Sequence, residues 1–276
     1  MRDNALRGDC TLAADGELRL LQITDMHLMA ERGGTLLNMD TDDSLEAVVD
    51  TAVKRAHEPH ALLITGDIAG DGSAAAYSRL EQALKPLGAP SFWLPGNHDG
   101  CSQAHVPTER FSRSLTTPHW HVVMLNSQVE DQVGGHLAAQ ELEALSAAVD
   151  TATTTQRHLL VALHHPLHAL GCAWLDPQRV DNASVFMTEV GRCQKSVVVI
   201  SGHVHQANDL TVEGSRCLTS PSTCIQFEPG QANFKVHDIA PGYRWLTLHQ
   251  NGDLETAVVR VEGRSFVVDL DSGGYL

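Results

Sequence analysis

The stretch that decides the fold joins an apolar run to a set of polar side chains: Ser91-Phe92-Trp93-Leu94-Pro95-Gly96-Asn97-His98-Asp99. The apolar half predicts a buried strand, and the glycine predicts the turn that ends it. The polar residues after the strand offer nitrogen and oxygen ligands, which would lie at one edge of a sheet. The stretch therefore predicts a polar site at a strand end.

The same arrangement occurs at four other places in the chain. The five apolar runs, each predicted to be a buried strand, are Leu18–Thr24, Ala61–Thr65, Ser91–Pro95, His158–Leu163 and Lys195–Ser201. The polar segments that follow them are Asp25-Met26-His27, Gly66-Asp67, Gly96-Asn97-His98-Asp99, His164-His165-Pro166 and Gly202-His203-Val204-His205. One such motif means little in a chain with 16 histidines, but five strand ends of this kind are hard to explain as core packing. Together they predict a dinuclear metal centre.

The ligand roles follow from the chemistry of each side chain. Asp67 is the candidate bridge, because a carboxylate has two oxygens and can hold two cations. One ion would take one further carboxylate and two imidazoles: Asp25, His27 and His205. The other ion would take one amide and two imidazoles: Asn97, His164 and His203. Two divalent ions in this pocket would attract a phosphate and acidify a bridging water, and the resulting hydroxide would attack phosphorus.

His98 and Asp99 are the candidate catalytic residues. One position beyond Asn97, the His98 imidazole can point over the metals toward a leaving oxygen as general acid, and Asp99 would orient it. In the alternative, His98 takes no part in proton transfer and only donates a hydrogen bond to a carboxylate next to the metal ligands. A supporting role is favoured over ligation for His165. Cys224 is expected to be a buried small hydrophobe rather than a nucleophile.

Length and composition restrict the class of protein. With 276 residues, 29.9 kDa and 42% hydrophobic content, the chain is expected to form a single domain, 1–276. Its six cysteines are scattered, which predicts reduced thiols. No apolar stretch is long enough to span a membrane, and Met1–Leu20 does not resemble a signal peptide, so we expect a cytoplasmic protein. A net charge of −15 argues against duplex nucleic acid as a partner.

Alternating strands and helices predict an α/β fold with mostly parallel strands. The predicted helices are Ser44–His57, Ser73–Leu87, Glu141–Val149 and Val180–Cys193, and His121–Leu125 is an additional predicted strand. From about residue 206 onward, short antiparallel strands are predicted at Asp209–Val212, Cys217–Thr219, Tyr243–His249 and Leu254–Val261, with a hairpin turn at Asn251-Gly252. We expect this C-terminal part to complete a second sheet and give a four-layer α/β/β/α sandwich.

The five polar segments, in this order, resemble the signature of the calcineurin-like metallophosphoesterases. Further segments are similar to the bacterial class III 3′,5′-cyclic nucleotide phosphodiesterases: Gly33-Gly34-Thr35-Leu36, Asp71-Gly72-Ser73, Trp174-Leu175-Asp176, Pro221-Ser222-Thr223-Cys224, Gln226-Phe227 and Pro241-Gly242-Tyr243-Arg244-Trp245-Leu246. The resemblance runs from about Leu20 to Arg260. One departure is Met26, where Thr or Pro is more usual; it lies between ligands and leaves them intact.

The resemblance implies an iron or manganese centre that hydrolyses cyclic AMP to 5′-AMP, in a chain that often forms a homodimer. It also implies that His164, the first histidine of His-His-Pro, is the ligand. Two alternatives remain at this point. One is a broader phosphodiesterase, a phosphomonoesterase or a nuclease with the same metals. The other is a scaffold that lost its chemistry, which usually shows as substituted ligands, and none is substituted here.

Overall fold

The computed structural model describes residues 9–11, 16–55, 58–99, 111 and 113–274. Its strands, in chain order, are β1 (Asp9–Thr11), β2 (Leu18–Ile23), β3 (Thr35–Leu36), β4 (Met39–Asp40), β5 (Ala61–Thr65), β6 (Ser91–Leu94), β7 (Ser114–Thr116), β8 (Trp120–Met124), β9 (His158–Ala162), β10 (Val197–Ser201), β11 (Asn208–Val212), β12 (Ser215–Thr219), β13 (Gln226–Phe227), β14 (Val236–His237), β15 (Gly242–Leu248) and β16 (Leu254–Arg260). Its helices are α1 (Thr41–Lys54), α2 (Ala74–Leu84), α3 (Ala139–Thr155) and α4 (Ala183–Val190), and short 3-10 helices span Lys85–Leu87 and Asp176–Gln178. The expectations for most of Met1–Leu20 and for Cys10, His57 and Cys101 lie outside the described side chains.

The strands that carry the polar segments are divided between two sheets. The five-stranded sheet has the order β16-β15-β2-β5-β6, in which β2, β5 and β6 are parallel. The seven-stranded sheet has the order β1-β7-β8-β9-β10-β12-β11, in which β8, β9, β10 and β12 are parallel. Parallel neighbours end at the same edge of a sheet, so each sheet contributes its own group of polar segments to the site.

The hydrophobic side chains place the helices on the outer faces of the two sheets. Along β9, Leu160 and Ala162 belong to the core that includes the five-stranded sheet, whereas Leu159 and Val161 pack with residues of α3 and α4. Helices α1 and α2 pack against the five-stranded sheet through residues such as Val48. The layers therefore follow the predicted α/β/β/α order.

Several helix boundaries differ from the predictions. Helix α1 begins three residues before Ser44, because Asp40 caps it: its carboxylate accepts a hydrogen bond of 2.9 Å from the Asp43 backbone N–H. Helix α3 extends beyond Val149 to Thr155, where only Ala152 continues the buried face. Helix α4 is shorter than Val180–Cys193 at both ends.

The sequence predicts that the strands after residue 206 complete the second sheet, but the structure divides them between the two sheets. Strands β11 and β12 extend the seven-stranded sheet, whereas β15 pairs antiparallel with β2 in the five-stranded sheet and β16 forms its edge. Every residue of Gly242–Leu248 is buried, so β15 needs cover on both faces and cannot lie at an exposed edge. The predicted hairpin of β15 and β16 around Asn251-Gly252 is present.

Two buried polar side chains connect the sheets. Gln22 of β2 donates a 3.1 Å hydrogen bond to the carbonyl oxygen of Ser201 in the other sheet. Arg244 of β15 is 3% exposed and donates to the carbonyl oxygens of Thr219 at 2.7 Å and Asn208 at 3.1 Å. Burial lowers the pKa of Arg244 to about 10, so it stays charged at neutral pH. These bonds hold the two sheets at a fixed separation.

Arg244→Met should therefore destabilise the fold, because it leaves two buried carbonyl oxygens without their donor. We expect a loss of about 3 kcal/mol in the free energy of unfolding, measured by urea denaturation in excess chelator. Arg192→Met is the matched control, since Arg192 is half-exposed and pairs with Asp150 at the surface; it should cost less than about 1 kcal/mol. Similar losses in both variants would contradict a connecting role for Arg244.

Candidate metal centre and active site

The polar segments enter the site through an unusual backbone conformation. Left-handed φ angles are uncommon for residues with a Cβ, and five of the seven candidate ligands adopt them: Asp25 (55°), His27 (48°), Asp67 (49°), His203 (66°) and His205 (49°). Each such residue costs about 1 to 3 kcal/mol and persists only where its surroundings enforce it. The conformation turns the chain sharply at the strand end and directs these side chains into one pocket.

Two glycines let the segments approach each other closely. Gly66 has a φ of +95°, and a Cβ on it would lie 2.4 Å from Nδ1 of His164. A Cβ on Gly202 would lie 2.1 Å from Oγ1 of Thr24 and 2.8 Å from Oδ2 of Asp25. A side chain at either position would push a candidate ligand aside.

The first group of candidate ligands consists of Asp25, His27 and His205. The Nε2 atoms of His27 and His205 lie 3.2 Å apart, and Nε2 of His205 lies 3.4 Å from Oδ1 of Asp25. The Asp25 carboxylate is fixed by the backbone N–H of His203, which donates to it at 3.0 Å. All three ligands have at most 1% of their surface exposed.

The second group consists of Asn97, His164 and His203. Oδ1 of Asn97 lies 3.2 Å from Nε2 of His164 and 3.0 Å from Nδ1 of His203. His164 is fully buried, His203 is 5% exposed and Asn97 is half-buried. The two groups contain the same residues that the sequence analysis assigned to two ions.

Asp67 lies between the two groups. Its Oδ2 atom is 3.7 Å from Nε2 of His27 and 3.3 Å from Nε2 of His164. Its Oδ1 atom accepts a hydrogen bond of 2.8 Å from the His98 backbone N–H. Asp67 is the candidate ligand that contacts both groups through one oxygen.

The imidazoles present lone pairs to this pocket. Nδ1 of His164 lies 2.8 Å from the carbonyl oxygen of Thr65, and Nδ1 of His205 lies 2.8 Å from that of Ile225. A carbonyl oxygen only accepts, so each Nδ1 carries a proton and each Nε2 is free to bind a cation when the ring is neutral. Metal ligands in proteins are commonly oriented in this way.

Burial and charge act in opposite directions on the titratable groups of the pocket. Burial lowers the pKa of His27 and that of His203 well below the usual value, so both rings are neutral. Burial also opposes the charge of His164, but the Asp67 carboxylate outweighs it and raises the pKa of His164 to about 9. Burial would raise the pKa of Asp67, yet His164, His98 and His27 together bring it well below its usual value. A cation in this pocket would replace the proton on His164.

His98 lies at the side of the first group. Its ring is half-buried and meets the His27 ring edge-on, with the centroids 4.8 Å apart. Because its backbone N–H is bonded to Asp67, the side chain is held next to the candidate bridge. This position is compatible with the predicted role as general acid.

The contacts of Asp99 differ from what the sequence suggested. Its carboxylate accepts hydrogen bonds from the backbone N–H groups of Gly96 (2.8 Å), Ile68 (3.1 Å) and Ala69 (3.0 Å) and from the Tyr77 hydroxyl (2.7 Å). These four donors account for the roughly four lone-pair sites of a carboxylate. The bonds favour a role in joining the Asp67 turn to the Gly96 turn over the predicted orientation of the His98 ring.

His165 and Cys224 lie next to the candidate ligands: each offers one atom within 4.8 Å of the ligand atoms of two candidate ligand histidines. Nδ1 of His165 is 2.9 Å from the Ser127 hydroxyl, and its Nε2 is 3.0 Å from the Val133 carbonyl oxygen. Both nitrogens are thus engaged, which fits the expected supporting role. Cys224 is fully buried, and burial raises the pKa of its thiol to about 12, so it is not a nucleophile at neutral pH.

Sequence reasoning missed two residues of the site. Tyr77 lies within the predicted helix Ser73–Leu87, and its bond to Asp99 has no sequence signal. Gln178 lies with its Oε1 atom 3.0 Å from Nε2 of His203, and only the neighbouring Trp174-Leu175-Asp176 segment had been noted. Both contacts join residues far apart in the chain, so a local pattern cannot show them.

The donor set fits a pair of metal ions. The ligand atoms of Asp25, Asp67 and His164 lie within 4.8 Å of one another. Carboxylate, amide and imidazole are the donors that divalent and trivalent first-row metals accept.

Among the described residues, no helix combines the length and apolar composition needed to cross a membrane.

The fold and the site define a known class of protein. A model of the calcineurin-like phosphoesterase family matches residues 18–207. This match covers more than half of the chain and includes all five polar segments, so the chain belongs to the calcineurin-like phosphoesterase family, as its motifs indicated.

Relatives within this class are similar over almost the whole chain. The 3′,5′-cyclic adenosine monophosphate phosphodiesterase CpdA of Pseudomonas aeruginosa is 38% identical over 268 residues, which cover 96% of this chain and 98% of that protein. The CpdA protein of Escherichia coli K12 is 37% identical over 271 residues, or 96% and 97% of the two chains. The resemblance to bacterial cyclic nucleotide phosphodiesterases is therefore confirmed.

Solved structures show the same fold at low sequence identity. The crystal structure of a dimetal phosphatase from Danio rerio has a TM-score of 0.62 and 17% identity, and the match covers 90% of this chain and all of that one.

Gly202→Ala should disrupt the first ligand group, because the new Cβ would collide with Thr24 and Asp25. We expect the purified variant to contain less metal than the wild type, measured by inductively coupled plasma mass spectrometry. Gly16→Ala is the matched control, since a Cβ at Gly16 would meet nothing within 4 Å. Wild-type metal content in Gly202→Ala would show that the close approach is not required.

Proposed function

We propose that the protein is a dinuclear metal-dependent phosphodiesterase that hydrolyses 3′,5′-cyclic AMP to 5′-AMP. The observation that carries this proposal is the position of the Asp67 carboxylate, whose Oδ2 lies 3.7 Å and 3.3 Å from imidazoles of the two ligand groups. The substrate is supported by the bacterial relatives, which are named as cyclic AMP phosphodiesterases and are similar over 96% of this chain.

In the proposed enzyme, Asp25, His27 and His205 would hold one ion, Asn97, His164 and His203 would hold the other, and the Asp67 carboxylate would be shared between them. When bound, the ions supply Lewis-acid stabilisation of the phosphoryl oxygens and acidify the attacking water. The protein's own contribution is to fix the ligands rigidly in a buried pocket, where such interactions are stronger than in water. Neutral imidazoles predominate over carboxylates in the set, so a net positive charge remains to attract the phosphodiester.

His98 has the separate task of protonating the departing oxygen. The 3′-oxygen of a cyclic nucleotide leaves as an alkoxide, which is a poor leaving group unless it receives a proton. His98 is suited to donate it, because its backbone is bonded to Asp67 while its ring stands at the edge of the first ligand group.

Further parts of the proposal concern the metals and the setting. We propose iron, manganese or both, because the family resemblance implies these metals, and the oxygen and nitrogen donors of the set are compatible with them. We propose a location in the cytoplasm because the four described cysteines are free thiols: Cys172, Cys193, Cys217 and Cys224. A homodimer is proposed from the family resemblance and is tested by sedimentation.

We also propose that residues 1–276 form one domain, because the strands after residue 206 pair with both sheets.

The proposed function is tested by metal analysis combined with a substrate screen. We expect about two equivalents of metal per chain and hydrolysis of cyclic AMP that stops on chelation and returns on adding Mn²⁺. Asp67→Ala should lose at least one metal and all turnover, because the carboxylate touches both groups. Faster turnover of a mononucleotide or single-stranded DNA than of cyclic AMP would favour a phosphomonoesterase or nuclease instead.

His98→Ala should keep the metals and lower turnover of cyclic AMP by about 10²- to 10⁴-fold, the usual effect of losing a general acid. The loss should be much smaller for bis(p-nitrophenyl) phosphate, because p-nitrophenolate leaves without a proton. His136→Ala is the control, since His136 is exposed and pairs with Asp181; it should leave both rates unchanged. An equal loss on the two substrates would assign His98 to phosphate positioning rather than proton donation.

A further inference from the structure

The ring of His203 is held by a different kind of group from the rings of His164 and His205. His164 and His205 each have Nδ1 next to a backbone carbonyl oxygen. The Nε2 atom of His203 instead lies 3.0 Å from the side-chain oxygen Oε1 of Gln178. The orientation of His203 therefore depends on a group that substitution can remove.

The contacts of Gln178 determine which end of its amide faces His203. Its Nε2 atom donates a hydrogen bond of 3.1 Å to the carbonyl oxygen of Trp174, so the oxygen end must face the imidazole. Because an amide oxygen only accepts, the contact with Gln178 favours the tautomer of His203 that has its proton on Nε2 and a lone pair on Nδ1. Nδ1 lies 3.0 Å from Oδ1 of Asn97, within the second ligand group. This oxygen is also an acceptor and favours the opposite tautomer when no cation lies between the two atoms, so Gln178 and Asn97 compete for the proton of His203.

We propose that Gln178 is a positioning residue that fixes the tautomer and ring orientation of His203 for the second metal ion. The inference rests on the proposed dinuclear site and names a residue that controls its second half. Groups of this kind around a metal typically alter affinity or activity by about 10- to 100-fold when they are removed.

Gln178 is itself held in place by its local structure. It ends the 3-10 helix Asp176–Gln178, in which its backbone N–H donates to Leu175 at 2.8 Å. Its backbone carbonyl accepts a hydrogen bond of 3.3 Å from Gly135. The Asp176 carboxylate accepts one of 2.7 Å from Leu170 and so closes the preceding turn. The amide of Gln178 is thus presented to His203 from a backbone fixed on both sides.

The same segment also supports the second histidine of Gly202-His203-Val204-His205. Trp174 packs edge-on against Phe227, with the ring centroids 5.0 Å apart. Phe227 in turn stacks on the His205 ring at 4.3 Å with an angle of 11° between the planes. Residues 170–178 therefore contact His203 directly and His205 through one aromatic ring, and only the contact to His203 involves a hydrogen bond.

Two substitutions separate the bond to His203 from the bond to Trp174. Gln178→Met removes both while nearly preserving the side-chain volume. Gln178→Glu loses the donor to Trp174 but keeps an oxygen that can accept from His203. Gln140→Met is the matched control, because Gln140 is exposed on α3. Thermal unfolding of the metal-free proteins reports any general loss of stability.

The first measurement is Mn²⁺ binding in competition with a chelating dye. We expect Gln178→Met to weaken the binding of one of the two Mn²⁺ equivalents by about 10- to 100-fold, with turnover partly restored at high Mn²⁺. Gln178→Glu and Gln140→Met should stay within about threefold of the wild type. An unchanged affinity in Gln178→Met, or equal losses in the Met and Glu variants, would overturn the proposal.

The second measurement reads the tautomer of His203 without metal. In ¹⁵N-histidine-labelled, metal-free protein, two-bond ¹H–¹⁵N couplings distinguish the two neutral forms, and the His203 signal is the one absent from His203→Gln. Because Gln178 and Asn97 compete for the proton, we expect a larger population of the Nε2–H form in the wild type and in Gln178→Glu than in Gln178→Met, where the Nδ1–H form should predominate. An unchanged tautomer in Gln178→Met would overturn the proposal. If the wild type bound no metal, the proposed function would be wrong. The tautomer measurement would still decide whether Gln178 orients His203.

Discussion

A buried carboxylate, that of Asp67, is the constraint on which the rest of the site depends. With 1% of its surface exposed, it is stable as an anion only if donors or cations replace its lost hydration. One oxygen accepts from the His98 backbone, and the other lies between the imidazoles of His27 and His164. The turn at Gly96 lies so close to this carboxylate that a Cβ on Gly96 would be 2.2 Å from Oδ1 of Asp67. The ligand groups of both sheets are therefore arranged around one anion.

The two sheets supply the rigidity that this arrangement needs. Left-handed backbone at Asp25, Asp67 and His203 is unfavourable in isolation, and it is stable here because each residue follows a strand buried at nearly every position. The hydrogen bonds from Gln22 and Arg244 hold one sheet against the other. Strain at the site is thus compensated by packing and hydrogen bonding in the layers beneath it, which is a common design of functional sites.

The fold could be predicted, and the candidate ligands could be proposed, because their signals are local. An apolar run followed by Asp, Asn or His identifies a strand and the residue that leaves it, and the structure places these strand ends together. Strand Ala61–Thr65 has the predicted bounds, and the others differ by one or two residues. The distribution of the last strands could not be predicted in the same way. Whether β15 joins β2 or β12 depends on which open edge covers both of its buried faces, and that is a property of the assembled sheets.

The interactions that orient the ligands are harder to predict, because each joins segments that are distant in the chain. Asp99 follows His98 directly, which suggested that it orients that ring, yet its carboxylate binds the backbone around Ile68 and the hydroxyl of Tyr77. Adjacent residues point in different directions after a turn, so neighbourhood in sequence is a poor guide to contact there. Gln178 illustrates the opposite case: 25 residues before His203, it nevertheless touches the ring. The residue types of a metal centre can be read from strand ends, whereas the groups that fix their tautomers require the tertiary structure.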